Sequence, residues 1–81
     1  MKEIDYPLEF ICPITQLVMK NPGITSDGHT YEHNAIRNWF NIGNNTSPIT
    51  NLHLGSQSII PNRALKNCIG NYKSILNNVE K

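Results

Sequence analysis

The cysteine content is the feature that most constrains what this chain can fold into. Cys12 and Cys68 are the only cysteines among 81 residues, and neither belongs to a C-x2-C pair. Domains near this size often need disulfides or a bound metal to be stable. One disulfide at most is available here, and a structural zinc site needs four ligands. The sequence therefore predicts a small domain without a metal ion or other cofactor, stabilised by apolar packing and hydrogen bonds.

The charge and the hydropathy pattern exclude several kinds of partner. The formal net charge is +1, so the chain lacks the basic surface that is typical of nucleic-acid binding. No stretch approaches the ~18 apolar residues of a membrane span, and residues 1–7 lack the apolar segment of a secretory signal. We therefore expect no nucleic-acid or membrane partner. The expected location is the cytoplasm or the nucleus, of a host cell if the source is a pathogen.

The clearest local signal is a β-hairpin. Two runs that favour β-structure, residues 24–26 and 29–31, flank the dipeptide Asp27-Gly28. Two-residue Asp-Gly loops are typical of hairpins with type I′ turns, because both central residues need a positive φ. The sequence predicts such a turn at this dipeptide.

Two helices are predicted after the hairpin. In the first, apolar residues recur at i, i+1, i+4 and i+5 from Ala35, and Gly43 marks the helix end. The second follows the N-cap residue Asn62. One face of this second helix is apolar and carries Leu65, Ile69, Tyr72, Leu76 and Val79. Cys68 lies beside that face, where we expect a small buried hydrophobe.

Two long loops flank the first helix. Pro13 keeps the apolar residues 10–14 out of a central strand, so they form the first loop. The second loop is polar and spans residues 44–48. Further core residues are expected in a segment with one short strand: Leu52, Leu54, Ile59 and Ile60. No internal repeat is expected, and the order loop, hairpin, helix, loop, helix predicts an α+β fold.

Six stretches, taken in order, resemble a known family. They are Phe10-Ile11-Cys12-Pro13-Ile14, Met19-Lys20-Asn21-Pro22, Asp27-Gly28-His29-Thr30-Tyr31-Glu32, Ala35-Ile36-Arg37-Asn38-Trp39-Phe40, Ser47-Pro48-Ile49-Thr50-Asn51 and Ile60-Pro61-Asn62-Arg63-Ala64-Leu65. Their order and spacing are similar to those of the U-box domain of ubiquitin ligases. On this resemblance the chain divides into a lead-in (1–5), a U-box domain (6–77) and a C-terminal tail (78–81).

The resemblance implies a small, zinc-free, RING-like fold. It consists of a β-hairpin and a short central helix, flanked by two long loops, and a C-terminal helix. In this family, networks of hydrogen bonds and salt bridges take the place of the zinc ions of a RING finger. The candidates for that network here are Ser26, Asp27, Tyr31, Glu32, Thr46, Ser47, Asn51 and Asn62.

The resemblance also implies a function. U-box domains are modules of E3 ubiquitin ligases, which recruit a ubiquitin-charged E2 enzyme through an apolar groove. They promote transfer of ubiquitin to a substrate lysine without a covalent E3 intermediate. Carried over position by position, the E2 contacts are Ile14, Leu17, Trp39 and Pro48, with Trp39 partly exposed at the edge of its helical stripe. Many members have a basic residue where this chain has Asn51, and an uncharged side chain there is expected to weaken activation.

Three other functions compete with this one. A zinc domain would combine His29 and His33 with the two cysteines, although neither cysteine has a local partner. A covalent enzyme would use Cys12 as its nucleophile, although no neighbouring residue supplies a base. A U-box fold kept as a protein-interaction or dimerisation module, with little ligase activity, is favoured by Asn51.

The expected partners follow from the resemblance. They are an E2 enzyme, its ubiquitin conjugate and a protein substrate that the sequence does not identify. A homodimer is left open by the apolar residues Tyr72, Ile75 and Val79 of the second helix.

Overall fold

A computed structural model describes residues 6–79, with side chains described up to residue 77. A 3-10 turn, Leu8–Phe10, precedes strands β1 (Pro22–Ile24) and β2 (Thr30–Glu32), helix α1 (His33–Asn41), strand β3 (Ile60–Pro61) and helix α2 (Arg63–Val79). The strands form an antiparallel sheet with the order β2-β1-β3, which confirms the predicted α+β fold. The predicted lead-in, 1–5, and the last two residues of the predicted tail lie outside the described residues. Neither of the two helices is long and apolar enough to cross a membrane.

The hairpin is present, but its turn differs from the prediction. The Thr25 amide donates to the His29 carbonyl at 2.9 Å, and the Gly28 amide donates to the Thr25 carbonyl at 2.9 Å. Within the loop only Gly28 has a positive φ, 89°, whereas a type I′ turn requires two such residues. The predicted two-residue turn is therefore wrong. The Thr25 hydroxyl donates to Oδ1 of Asp27 at 2.6 Å, and this bond stabilises a loop of three residues.

The middle of β1 is a site of close approach between segments. Gly23 is buried, and a Cβ atom at this position would lie 2.5 Å from Cγ2 of Ile59. Glycine therefore lets the segment before β3 pack directly against β1.

Both helices begin or end where the sequence predicts. The side chains of Ile36 and Phe40 on α1 are buried, and Gly43 follows the helix with a φ of 107°. Oδ1 of Asn62 accepts a hydrogen bond from the Leu65 amide at 3.1 Å, so it caps the first turn of α2.

The core is small, and some predicted core residues lie outside it. Its buried apolar side chains are Cys12, Met19, Tyr31, Ile36, Phe40, Leu54 and Ile69. Leu52 and Ile60 are 69% and 63% exposed, so the prediction that they add to the core is wrong. The same holds for Cys68, which is exposed. It lies about 60–80° to one side of the packed stripe of α2, given 100° per residue. Of the predicted stripe, the Val79 side chain lies outside the described part.

The expectation of no internal repeat is also wrong. Residues 12–19 read CPITQLVM and residues 47–54 read SPITNLHL. Isolated β-bridges close the two segments, joining Ile11 to Val18 and Thr46 to His53. We call residues 11–18 loop one and residues 46–53 loop two.

The two loops share their backbone geometry. In loop one the Cys12 amide donates to the Leu17 carbonyl at 2.9 Å, and the Gln16 amide donates to the Cys12 carbonyl at 2.8 Å. In loop two the Ser47 amide donates to the Leu52 carbonyl, and the Asn51 amide donates to the Ser47 carbonyl, both at 2.8 Å. Gln16 and Asn51 adopt left-handed φ values of 62° and 64°. Loop one and loop two therefore have the same backbone structure, and their equivalent residues lie 35 positions apart in the sequence.

Candidate functional site

Strand β2 is bonded to both loops through consecutive residues. The amide of Glu32 donates to Sγ of Cys12 in loop one at 3.2 Å. The hydroxyl of Tyr31 shares a hydrogen bond of 3.3 Å with Oγ of Ser47 in loop two. Tyr31 is fully buried and Ser47 is 1% exposed. One short strand thus sets the positions of both loops.

The Glu32 carboxylate holds the chain that leaves loop one. Its Oε1 accepts the Lys20 amide and its Oε2 accepts the Asn21 amide, both at 2.8 Å. A carboxylate that accepts two backbone N–H groups forms strong, charge-assisted bonds. Glu32 therefore connects β2 to the segment between loop one and β1.

Each loop contains a buried acceptor at its start. In loop one, Sγ of Cys12 accepts the Ile14 amide at 3.4 Å. In loop two, Oγ of Ser47 accepts the Ile49 and Thr50 amides, both at 3.2 Å. Cys12 is 0% exposed, as expected for a thiol tucked under its loop. An enclosed thiol that accepts backbone hydrogen bonds cannot reach a substrate as a nucleophile.

Two groups near Ser47 have shifted pKa values. Burial raises the pKa of Tyr31 above its ordinary value, although the Ser47 hydroxyl partly opposes this. Burial also raises the pKa of Asp27, but hydrogen bonds to Thr25, Ser47 and the His29 backbone, together with the charge interaction with His29, lower it by more, so this pKa lies below its ordinary value. Tyr31 is therefore neutral and Asp27 is ionised at neutral pH.

The predicted E2-contacting residues lie on loop one, α1 and loop two. Trp39 is half-buried, as the helical pattern predicts, and its Nε1–H donates to the Thr46 carbonyl at 2.7 Å. This bond connects α1 directly to the start of loop two. Ile14 is half-buried and, like Trp39, packs against the core. Pro48 is half-buried, whereas Leu17 is 68% exposed.

Loop two also exposes apolar side chains that sequence reasoning missed. Ile49 is 47% exposed and Leu52 is 69% exposed, nearly the same as Leu17. The repeated pattern P-I-T-x-L is the signal that would have identified them, because Leu52 corresponds to Leu17. Asn51, the residue before Leu52, is exposed.

The other residues predicted for the hydrogen-bond network each bond to a different part of the structure. Oγ of Ser26 donates to the Ser56 carbonyl at 3.2 Å on the surface. The Asn62 amide donates to the Pro22 carbonyl at 2.9 Å, which joins the start of α2 to β1. Thr46 takes part through its carbonyl, the acceptor of the Trp39 bond. Within the described residues, no buried side-chain nitrogen or oxygen lacks a hydrogen-bond partner.

No metal centre is formed by the described part of the chain, in which no group of three or more His, Cys, Asp or Glu side chains is placed to hold an ion. A depression of about 650 Å³ lies where the two helices begin. Its lining includes His33, Arg63 and Lys66, but none of the predicted E2-contacting residues.

Comparison with known proteins finds one family. A profile of the U-box domain matches residues 6–77. U-box domain-containing protein 57 of Arabidopsis thaliana is 59% identical over 63 residues, which cover 78% of this chain and 16% of that protein. The putative U-box domain-containing protein 58 of Arabidopsis thaliana is 49% identical over 69 residues, 85% of this chain and 16% of that protein.

The name of a human relative includes other domains besides the U-box. The WD repeat, SAM and U-box domain-containing protein 1 of Homo sapiens is 52% identical over 66 residues, 82% of this chain and 14% of that protein. The chain spans no more than about a sixth of the length of these curated relatives.

Proposed function

Since the chain belongs to the U-box family, whose domains are generally modules of E3 ubiquitin ligases, we propose that it recruits a ubiquitin-charged E2 enzyme. It then promotes ubiquitin transfer to a substrate lysine without a covalent intermediate on this chain. The E2 surface consists of loop one, α1 and loop two, with contacts from Ile14, Leu17, Trp39 and Pro48.

The observation that carries this proposal is the exposure of Leu17. It is 68% exposed on a loop where residues 10–19 contain no Asp, Glu, Lys or Arg. The cores of protein interfaces are depleted in charge and enriched in apolar and aromatic side chains. An uncharged loop with an exposed leucine has this composition.

The hydrogen bonds of β2 give the surface its shape in this proposal. A RING finger holds its loops with zinc, and here the Tyr31–Ser47 and Glu32–Cys12 bonds are proposed to do the same. The bond from Trp39 to the Thr46 carbonyl keeps α1 in place against loop two. Preformed loops bind a partner with less loss of conformational entropy.

Catalysis in this proposal is positioning. The domain restricts the flexible E2–ubiquitin conjugate to an arrangement in which the thioester is open to attack by lysine. Cys12 is enclosed and takes no part in bond making. Asn51 stands at the position that is basic in many U-box domains and supplies a neutral hydrogen-bonding group there. We propose the cytoplasm or the nucleus as the location, where ubiquitin conjugation takes place.

The direct test is discharge of a ubiquitin-charged E2 onto free lysine, with chelator present throughout. We expect the wild-type chain to accelerate discharge with at least one member of an E2 panel. Leu17→Ala should remove most of this acceleration, whereas Ile60→Ala, at a 63% exposed position on β3, should keep it. Leu17 is the better probe than Ile14, because Ile14 also packs against the core and its truncation would lower stability.

Two results would contradict the proposal. Equal acceleration by Leu17→Ala and wild type would remove loop one from the E2 surface. No acceleration across the panel would favour the alternative function, a protein-interaction or dimerisation module with little ligase activity.

Asn51→Arg tests the role of the uncharged position. Discharge should rise roughly tenfold, since a hydrogen bond to a charged group is worth about 1.5–3 kcal/mol. Arginine at a φ of 64° should also cost about 1 kcal/mol of folding free energy. Asn51→Gln is the matched control, because Gln16 adopts nearly the same φ in loop one. Equal discharge by the two variants would show that charge at this position has no effect.

A further inference from the structure

The repeat in the two loops points to an E2 contact in addition to the proposed ones, which are Ile14, Leu17, Trp39 and Pro48. Leu17 and Leu52 occupy equivalent positions and are 68% and 69% exposed. We infer that Leu52, supported by Ile49, is a second leucine contact for the E2 enzyme. This inference rests on the proposed function, and it adds a binding residue on loop two.

The exposure of Leu52 is imposed by the backbone of its loop. Its amide donates to Oγ1 of Thr50 at 3.2 Å, and its carbonyl accepts the Ser47 amide at 2.8 Å. In loop one the Leu17 amide donates to Oγ1 of Thr15 at the same distance, 3.2 Å. Equivalent bonds on both sides of the residue present each leucine to solvent in the same way.

The core does not need this side chain. Leu54, two residues further on, is 5% exposed and fills the core below loop two. Single exposed leucines are common on protein surfaces, but Leu52 shares its loop with Ile49, which is 47% exposed. Residues 42–62 contain no Asp, Glu, Lys or Arg. The result is an uncharged apolar surface of the kind that partners cover.

The E2 enzyme is the occupant that this position favours. The bond from Trp39 to the Thr46 carbonyl, 2.7 Å long, makes loop two continuous with α1. Pro48 lies in the same loop, four residues before Leu52. A partner that contacts Leu17, Trp39 and Pro48 therefore has the second leucine at the edge of its footprint.

The test measures the affinity of the whole chain for free, uncharged E2 enzyme. Leu17→Ser should weaken binding roughly tenfold, the effect expected for an apolar contact near the centre of an interface, and Leu52→Ser, at the edge of the footprint, should weaken it roughly threefold. Ile60→Ser, at a position 63% exposed on β3, should bind as wild type does. Melting temperatures of the four proteins exclude loss of fold as the cause.

Each other outcome overturns the inference in a recognisable way. If Leu17→Ser weakens binding and Leu52→Ser does not, the proposed function stands and the second contact is rejected. If Leu52→Ser slows discharge but leaves the affinity for free E2 unchanged, the leucine contacts ubiquitin instead. If it changes the sedimentation of the free chain, the occupant is a second copy. If the wild-type chain binds no E2 enzyme, the function and the inference both fail.

Discussion

Loop one and loop two have the same backbone hydrogen bonds, but different atoms connect them to β2. Loop one presents the sulfur of Cys12, which accepts the backbone amide of Glu32 at 3.2 Å. Loop two presents the hydroxyl of Ser47, which is bonded to the side chain of Tyr31 at 3.3 Å. The backbone hydrogen bonds of the two turns and their left-handed residues are equivalent.

The difference shows which parts of such a loop are interchangeable. The turn needs a small buried acceptor at the second residue of the loop and a residue that tolerates a positive φ at the sixth. Sulfur and oxygen both accept hydrogen bonds, but sulfur is the weaker acceptor. Loop two should therefore depend more strongly on its buried polar atom than loop one does.

Removal of the loop-two acceptor should have the largest effect. Ser47→Ala leaves the Tyr31 hydroxyl and the Ile49 and Thr50 amides without their shared partner. The free energy of unfolding should fall by about 1–3 kcal/mol, the cost of unsatisfied buried polar groups. Chemical denaturation measures this loss. Hydrogen exchange should become faster at the amides of Ile49 and Thr50, while exchange at the Ile14 amide is unchanged. Equally faster exchange in both loops would contradict the account in which each loop is held to β2 by its own buried atom.

Exchange of the loop-one acceptor for its loop-two counterpart should cost less. Cys12→Ser keeps an acceptor for the Ile14 and Glu32 amides but introduces a buried hydroxyl. We expect a loss of about 1 kcal/mol in the free energy of unfolding. Cys68→Ser, at an exposed position, is the control and should change stability by less than about 0.5 kcal/mol. A loss as large as that of Ser47→Ala would mean that both loops depend equally on their buried atom.

Acid should lower the stability of the protein by a small amount, because it protonates Asp27 near Ser47 of loop two. Burial raises the pKa of Asp27, but hydrogen bonds to Thr25, Ser47 and the His29 backbone, together with the charge interaction with His29, lower it by more, so the folded pKa lies below 3.8. The stabilisation is thus present above about pH 4 and is lost as the pH falls through the folded value. Asp27→Asn should flatten the dependence of melting temperature on pH in this range. Parallel pH profiles for the variant and wild type would show that Asp27 makes no such contribution.

The regular elements of the fold could be predicted from sequence because their signals are local. The Asn62 cap and the helix end at Gly43 depend on residues within one turn. The predicted type of hairpin turn is wrong because the bond from Thr25 to Asp27 favours a three-residue loop over a two-residue one. Side chains in loops follow no period, so the pattern alone did not separate exposed Leu52 from buried Leu54.

The candidate site was predictable only in part. The resemblance supplies Ile14, Leu17, Trp39 and Pro48, but it says nothing of the second leucine. The repeat that reveals Leu52 is short and lies 35 positions from its counterpart, as the numbering of Leu17 and Leu52 gives. Which atoms connect the loops to β2 depends on tertiary contacts, such as that between Tyr31 and Ser47, which no local pattern encodes.

The central claim is that both loops and α1 form one surface for an E2 enzyme. Titration of the isotope-labelled chain with unlabelled E2, followed by NMR, tests it most directly. We predict that the amides of residues 12–18 and 46–53, together with the indole N–H of Trp39, shift with one common affinity. Shifts confined to loop one, or centred on α2, would contradict the claim.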